Sequence, residues 1–330
     1  MKALITGSTG HLGEALVRTL RDAGHRIVGI DLLPSEFTNS VGSIADREFV
    51  KDAMRGIDVV LHAATLHKPH VATHSPQQFV DTNVTGTLNL LQEAVAANVR
   101  SFIFTSTTSV FSRSISQSPG APAAWITEDV VPVPKNIYGV TKLAAENLCE
   151  LFHRQHRLPC IVLRTSRFFP EEDDRREVRE AFDDTNIKVN EFLYRRVDIE
   201  DVARAHLLAV EKASSVGFAK YIISATTPFS RDDVSGLRSD AALVVKRRIP
   251  EFEPVFARHG WKMFPTIDRV YDNKRARTEL GWHPRHDFRA ILERLGANEK
   301  PFSPLTYIVG SKGYHPVKFD DGPFPVAGEH

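Results

Sequence analysis

The chain has 330 residues, of which 42% are hydrophobic and 25% are charged, so we expect a folded globular protein with a large core. Its 42 basic and 41 acidic side chains leave a formal net charge of +1, which provides no overall field to attract nucleic acid or an anionic membrane. Two cysteines, Cys149 and Cys160, are too few for a disulfide framework or a paired-cysteine zinc site. No apolar run reaches the roughly 18 to 20 residues of a spanning helix, and the first residues enter an apolar strand directly, so we expect a cytoplasmic protein.

Short apolar runs alternate with longer segments of helical period through the first two-thirds of the chain. Strands are predicted at 3–6, 26–30, 59–62, 101–105, 160–163 and 221–224. Helices are predicted at 12–23, 76–97, 137–156 and 199–213, where apolar residues recur at three- and four-residue intervals. This alternation is typical of an α/β protein with a doubly wound parallel sheet of the Rossmann type.

The last third of the chain has a different composition. After Phe229 the alternation weakens and proline, tryptophan and histidine become more frequent, which predicts a smaller C-terminal lobe. The prolines of the final segment exclude a long helix and predict an extended tail over the surface. They are Pro301, Pro304, Pro316, Pro323 and Pro325.

A glycine-rich loop at 6–13 connects the first predicted strand to the first predicted helix. Glycines there allow a tight turn and close backbone approach, and the helix N-terminus attracts a pyrophosphate. A plain structural turn is the alternative, but the loop's position and an acidic residue about twenty positions later favour a dinucleotide site. The residues expected to face the cofactor are Gly7, Thr9, Gly10, His11, Leu12 and Gly13.

That acidic residue is Asp31, which follows the second predicted strand. A carboxylate there accepts hydrogen bonds from a ribose and repels a 2′-phosphate, so NAD is favoured over NADP, whereas the alternative is a residue of a strand-end turn. We predict that residues 1–165 form the NAD-binding core. Residues 166–330 are expected to form mainly a substrate lobe and the tail, with 197–225 returning to the core.

Tyr138 and Lys142 lie one helical turn apart on the predicted helix 137–156. An ammonium near a phenol lowers a pKa that is ordinarily about 10 and makes the tyrosine a usable base. On its own the pair is also common on helix surfaces. A run of hydroxyls around Ser106, Thr107 and Thr108 ends a neighbouring strand at the edge where such sheets bind ligands, which favours a catalytic role.

Together these features resemble the extended short-chain dehydrogenase/reductase family, in particular its NAD-dependent epimerase/dehydratase branch. The resemblance covers about residues 1–215 and returns at 275–282. It implies that Thr107, with Ser106 as the alternative, completes a catalytic set with Tyr138 and Lys142, and that Lys142 binds the nicotinamide ribose. It also implies a homodimer through the helices at 76–97 and 137–156.

Three further cofactor-site positions follow from the same resemblance. Ala63 and Ala64 correspond to the segment that passes beneath the cofactor. Asn83 corresponds to an asparagine that holds the local backbone of the site.

The sequence departs from the family's pattern at several substrate-side positions. Family members that eliminate water carry Asp-Glu after the catalytic threonine, whereas this chain has Thr108 and Ser109, so we do not expect a dehydratase. Arg167 replaces an asparagine that meets the diphosphate, and it is expected either to bind phosphate or carboxylate or to pair with the acidic run at 171–174. His67 lies where some relatives carry a substrate-side lysine and forms a small basic cluster with Lys68 and His70, although a surface-loop histidine is the more common explanation.

The hypothesis is an NAD-dependent, epimerase-like enzyme acting by reversible hydride transfer at a carbinol carbon of a sugar or nucleotide sugar. An NAD-dependent alcohol dehydrogenase or ketone reductase on a smaller substrate is one alternative, and a dinucleotide-sensing regulatory module is the other. No metal site is predicted, because the scattered histidines have no accompanying carboxylate pattern.

Overall fold

The computed structural model describes residues 1–115, 118, 120–313, 315, 319 and 322. The strands are β1 (Lys2–Thr6), β2 (Arg26–Asp31), β3 (Ser40–Val41), β4 (Val59–His62), β5 (Ser101–Thr107), β6 (Ala124–Ile126), β7 (Cys160–Thr165), β8 (Phe218–Ile223) and β9 (Arg269–Tyr271). In the described part of the chain seven of them form one parallel sheet in the order β3-β2-β1-β4-β5-β7-β8. The order reverses between β1 and β4, and ligands of doubly wound sheets bind at that switch point.

Helices cover both faces of the sheet and build the second lobe. They are α1 (His11–Asp22), α2 (Arg47–Ala53), α3 (Pro76–Phe79), α4 (Gly86–Ala96), α5 (Ile137–His156), α6 (Arg176–Ala181), α7 (Asp184–Glu191), α8 (Ile199–Val216), α9 (Val234–Ser239), α10 (Ala241–Arg248), α11 (Phe252–His259), α12 (Phe288–Gly296) and α13 (Pro304–Val309).

Alternation along the buried strands divides the core into two layers. Ala3 and Ile5 of β1 face α1 and α8, whereas Leu4 faces the layer built by α2, α4 and α5. Apolar residues on both faces are what a parallel strand between two helix layers requires. The predicted fold class is therefore confirmed.

The structure corrects two details of the predicted elements. The seventh strand, β3, was missed because Ser40–Val41 is too short to show a period. The helix predicted at 76–97 is interrupted by a π-helical turn, Val80–Thr85, between α3 and α4. Such turns are frequent at functional sites, and this one contains Asn83.

The second lobe has a hydrophobic core of its own. Leu193, Val245, Phe256, Phe288 and Ile291 are buried together in it. Strand β6 pairs in parallel with β9, although 145 residues of sequence separate Ala124 from Arg269. Between these lobe segments, α8 and β8 return to the main sheet, where β8 pairs with β7.

The C-terminal segment begins with α13, which the predicted extended tail did not include. Ser303 caps this helix, and Pro304 occupies its first turn, where a missing amide is harmless. Beyond it the predicted prolines Pro316, Pro323 and Pro325 lie outside the described residues. A search of the described helices finds none long and apolar enough to cross a membrane.

Candidate active site

The glycine loop turns so tightly that side chains are excluded from it. Gly7 has a φ of 71°, and its amide donates to the Ile30 carbonyl at 2.8 Å. A Cβ on Gly13 would lie 1.8 Å from the Gly7 oxygen, and a Cβ on Gly7 would lie 2.8 Å from the Ala64 nitrogen. The bare backbone at the start of α1 therefore forms a cradle that fits a pyrophosphate.

Asp31 lies at the carboxyl end of β2 and closes one side of this cradle. Its carboxylate accepts hydrogen bonds from the backbone amides of Thr9 and Leu33, both at 3.0 Å. Thr9 adds hydroxyl bonds to Ser35 at 3.1 Å and Thr38 at 2.9 Å. The Asp31 carboxylate is thus held in place and lines the cleft. In doubly wound folds a carboxylate at this position accepts hydrogen bonds from the ribose hydroxyls of a dinucleotide.

The loop after β4 passes along the same cleft. Ala63 and Ala64 line it, and the Ala64 amide donates to the Thr6 hydroxyl at 3.0 Å. Asn83 was also predicted as a cofactor residue, but its side chain is buried and bonded within the protein. It accepts from the Leu66 amide at 2.9 Å and donates to the Leu66 carbonyl at 2.9 Å and to Thr141 at 3.0 Å. Asn83 therefore holds the backbone beside the cleft. Its contact with a cofactor stays a prediction.

Tyr138 and Lys142 lie on the first turns of α5, and both line the cleft. Asn136 caps this helix by accepting from the Gly139 amide at 3.1 Å. Burial raises the pKa of Tyr138 to about 12, while a hydrogen bond with Thr107 acts in the opposite direction. Burial also lowers the pKa of Lys142 to about 7, against the opposing effects of Cys149 and Glu146. Both shifts disfavour the charged form of the side chain when no ligand is present.

The hydroxyls that end β5 point in different directions. The Ser106 hydroxyl donates to the Glu146 carboxylate at 2.6 Å, next to the buried pair of Glu146 and Arg164 at 2.7 Å. Thr107 and Thr108 line the cleft. Ser106, the alternative member of the catalytic set, lines the cleft as well, but its hydroxyl is donated to Glu146, whereas Thr107 hydrogen-bonds with Tyr138.

His67 is a half-buried residue of the cleft, so the surface-loop interpretation is wrong. Its ring centroid lies 5.3 Å from that of Phe169 and 6.5 Å from that of Tyr138. Burial lowers its pKa well below the ordinary value, and the neighbouring His70 adds to the effect. Lys68 and His70 line the cleft beside it, and the Lys68 ammonium pairs with Asp174.

Arg167 takes the ion-pair alternative rather than pointing freely at a ligand. Its guanidinium lies 2.8 Å from Asp173 and 3.3 Å from Glu191, and it also donates to the Glu172 carbonyl at 3.1 Å. Arg195 and Arg196 each lie 2.7 Å from the same Glu191. We call Arg167, Asp173, Glu191, Arg195 and Arg196 the charged wall.

The charged wall is electrostatically self-consistent. Burial alone would raise the pKa of Glu191, but Arg195, Arg196 and Arg167 lower it below its ordinary value. Burial likewise opposes the charge of Arg167, but Glu191 and Asp173 raise its pKa. The wall therefore stays charged and lines the substrate side of the cleft through Arg167 and Arg195.

The cleft also contains residues that the sequence did not indicate. Its volume of about 2420 Å³ exceeds the roughly 300–1,000 Å³ of a typical small-molecule pocket, so two ligands can occupy it together. The C-terminal lobe supplies Phe264 and Arg269, and the tail supplies Lys312 and His315. These residues come from segments without a motif, so no local signal could have identified them. Within the described residues no group of three or more His, Cys, Asp or Glu side chains could hold a metal ion.

Comparison with known proteins gives matches over most of the chain. A family profile described as "NAD dependent epimerase/dehydratase family" matches residues 3–223. The UDP-glucose 4-epimerase of Streptomyces lividans is 27% identical over 324 residues, covering 88% of this chain and 94% of the relative. The UDP-glucose 4-epimerase of Lactobacillus helveticus is 25% identical over 322 residues, and the alignment covers 87% of this chain and 93% of the relative.

Solved structures give matches of similar extent. A short-chain dehydrogenase/reductase superfamily protein from Agrobacterium tumefaciens, solved with bound NAD, aligns with a TM-score of 0.63 at 25% identity, covering 90% of this chain and 96% of that one. The UDP-glucose 4-epimerase of Thermotoga maritima, solved with UDP-glucose, aligns with a TM-score of 0.62 at 21% identity, covering 90% and 99%. The second match shows a shared fold.

Proposed function

Because the chain belongs to the NAD-dependent epimerase/dehydratase family of extended short-chain dehydrogenases/reductases, we propose that it oxidises and re-reduces one carbinol carbon of a sugar or nucleotide sugar. The chain is an NAD-dependent enzyme, as the sequence predicted, so the dinucleotide-sensing module is set aside. One observation carries the proposal: Tyr138, Lys142 and Thr107 line the same cleft as the glycine loop.

The cofactor-side residues fit a dinucleotide. Gly7 and Gly13 leave the backbone bare, Asp31 offers a carboxylate, and Leu32 and Leu33 beside it bring no positive charge for a 2′-phosphate. We assign the diphosphate to the first turn of α1, with His11 and Leu12 contributing backbone amides, and the nicotinamide ribose to Tyr138 and Lys142. Held by these residues, the nicotinamide of NAD would supply a reversible hydride acceptor for the carbinol carbon.

Tyr138 is the acid/base of the proposed reaction. Its phenol is buried, so proton acceptance requires a nearby positive charge to stabilise the phenolate. The Lys142 ammonium is itself disfavoured by burial, and a phenolate beside it would compensate that cost. Thr107 then orients the substrate oxygen through its hydroxyl, and Tyr138 returns the proton when the ketone is reduced.

His67 and Thr108 are the proposed substrate contacts. Both line the cleft on the side of Tyr138, and the neutral imidazole of His67 can donate to or accept from a substrate hydroxyl. Arg167 was predicted as a third contact, but its guanidinium is taken by Asp173 and Glu191. This pairing favours the second candidate, a dehydrogenase acting on a smaller substrate without a diphosphate.

Incubation of the purified protein with NAD and a panel of uridine diphosphate sugars tests the proposal, with epimer formation followed by NMR. We expect epimer formation without net reduction of NAD. Tyr138→Phe should lower kcat by about 10²–10⁴-fold. NAD affinity should fall only by the roughly fivefold that one lost ribose hydrogen bond is worth. Accumulation of NADH with free sugars or small alcohols would replace the epimerase by the dehydrogenase, and turnover unaffected by Tyr138→Phe would refute both.

We also propose a homodimer formed through α5 and the helical segment from α3 to α4. Val140 on α5 and Val80 on the π-helical turn expose 48% and 37% of their surface, which supports an apolar contact there. Size-exclusion chromatography with light scattering should give a mass twice the chain mass of 36.9 kDa. A mass of one chain would contradict the dimer.

A further inference from the structure

We propose that residues 311–313 and His315 form a C-terminal strap that closes over the dinucleotide cleft and slows NAD release, with Glu171 as its positioning residue. The inference rests on the proposed function only in requiring that this cleft bind NAD. It assigns a role to residues 311–313 and His315, which the reaction itself does not explain.

Glu171 fastens the strap to the start of α1. Its Oε1 accepts from the backbone amides of Lys312 at 3.0 Å and Gly313 at 3.2 Å and from the Ser311 hydroxyl at 2.9 Å. The same oxygen lies 2.7 Å from Nε2 of His11, the first residue of α1. Glu171 therefore links the strap directly to the helix end that the pyrophosphate is proposed to face.

The charge of Glu171 is stabilised by these donors. Burial alone would raise the pKa of its carboxyl, but His11 and the Lys312 amide lower it to about 2. A second ion pair joins the Lys312 ammonium to Glu14, which lies in the first turn of α1. Because hydrogen bonds to charged groups are stronger than neutral ones, this end of the strap is firmly attached.

The opposite end of the strap reaches the other wall of the cleft. Nε2 of His315 lies 3.0 Å from the Pro69 carbonyl oxygen, in the loop that follows β4. The His315 ring also lies 5.3 Å from that of His70 and 6.4 Å from that of His74. The described residues of the strap thus contact both α1 and the loop at 67–74.

The strap is part of the cleft wall and not merely near it. Lys312, Gly313 and His315 line the cleft together with Gly10 and Asp31. We infer that a dinucleotide lying between the glycine loop and Tyr138 moves past these residues when it leaves. Its release should therefore depend on breaking the bonds that Glu171 and Lys312 make.

Stopped-flow measurement of NADH dissociation, by loss of its fluorescence on displacement with NAD, tests the strap. Since one net hydrogen bond corresponds to roughly a fivefold change in an equilibrium or rate, Glu171→Gln and Lys312→Met should each accelerate release by about five- to tenfold. Truncation after Gly310 should accelerate it by at least about twentyfold. Lys212→Met, which alters an exposed lysine of α8, is the matched control and should release NADH at the wild-type rate.

A wild-type dissociation rate in the truncated protein, or equal rates in Glu171→Gln and the control, would overturn the strap. If truncation prevents folding, hydrogen exchange of the full chain decides: NAD should slow exchange of the Lys312 and Gly313 amides, and unchanged exchange would refute the inference. NADH release is measured at a temperature at which every variant is folded, so that the lower thermal midpoint expected for Glu171→Gln, whose carboxyl pKa is lowered by folding, does not enter the rate. NAD release that depends on the strap, in a protein without epimerase or dehydrogenase activity, would refute the proposed function and leave the strap intact.

Discussion

The two sides of the cleft are built by different means. On the cofactor side, backbone atoms of the glycine loop and one carboxylate, Asp31, shape the cleft within the first βαβ unit. On the substrate side, the charged wall joins side chains from the loop after β7 and from the end of α7. The glycine loop keeps its shape because Gly7 and Gly13 have no side chain. The charged wall is stable because its acidic and basic side chains form ion pairs with one another. Substitutions in the glycine loop should therefore affect ligand affinity, and substitutions in the charged wall should affect protein stability.

The largest effect is expected in the charged wall. Glu191→Gln removes the carboxylate that neutralises Arg167, Arg195 and Arg196, and leaving buried charges uncompensated costs about 3–5 kcal/mol. Chemical denaturation should show this loss in the free energy of unfolding, with NAD affinity of the folded protein unchanged. Glu253→Gln is the control, because its pair with Lys246 is exposed and should cost less than about 1 kcal/mol. Equal losses in both variants would remove the distinction between the two sides.

Buried Lys142, on the cofactor side of the cleft, should lower the free energy of unfolding at neutral pH. Its pKa is about 7 in the folded protein and about 10.4 in an unfolded chain, so folding opposes its protonation. Stability is therefore highest above the unfolded value and falls as the pH drops towards 7. Lys142→Met removes this pH dependence. The free energy of unfolding of the ligand-free variant, relative to that of the wild type, should therefore increase by about 2 kcal/mol as the pH is lowered from 9 to 7, because one pKa unit corresponds to about 1.4 kcal/mol.

Urea unfolding at several pH values measures this effect. Lys274→Met, at an exposed lysine, should show no such dependence on pH. A pH-independent difference between Lys142→Met and the wild type would mean that Lys142 is not desolvated in the ligand-free protein.

The glycine loop should respond in ligand affinity. Gly13→Ala places a Cβ 1.8 Å from the Gly7 oxygen, so the loop must shift away from its cradle shape. We expect NAD affinity to fall by about 100-fold, equivalent to about 2.7 kcal/mol, as measured by calorimetric titration. Gly296→Ala is the control: its Cβ meets nothing within 4 Å at the end of α12, so it should keep the affinity and gain up to about 1 kcal/mol of stability. Similar affinity losses in both would show that the loop geometry is not responsible.

The smallest expected effect concerns cofactor choice. Asp31→Asn removes the negative charge that would repel a 2′-phosphate and weakens the bonds from the Thr9 and Leu33 amides. NAD affinity should fall about tenfold, which corresponds to a loss of about 1.4 kcal/mol of binding free energy. The ratio of NADP affinity to NAD affinity should rise. Titration with both dinucleotides measures the change. An unaltered ratio would show that Asp31 does not select the cofactor.

The sequence predicted the sheet because each strand carries its own apolar run and each helix its own period. It missed β3, which has two residues, and the π-helical turn that interrupts the helix at 76–97, since neither leaves a periodic signal. The direction of each hydroxyl at the end of β5 was also undetermined. The structure distinguishes the two hydroxyls by their partners, because Ser106 donates to Glu146 and Thr107 hydrogen-bonds with Tyr138.

By itself, the sequence determined which local patterns line one side of the cleft: the glycine loop, Asp31 and the pair of Tyr138 and Lys142 have a geometry set by one turn or one helix. Only the tertiary structure decided that Arg167 pairs with Glu191, that His67 is neutral inside the cleft, and that Lys312 returns to Glu14 across 298 residues of sequence. These outcomes depend on desolvation and on partners brought together by folding. Burial and charge pairing are properties of the assembled neighbourhood and are not encoded in any single segment.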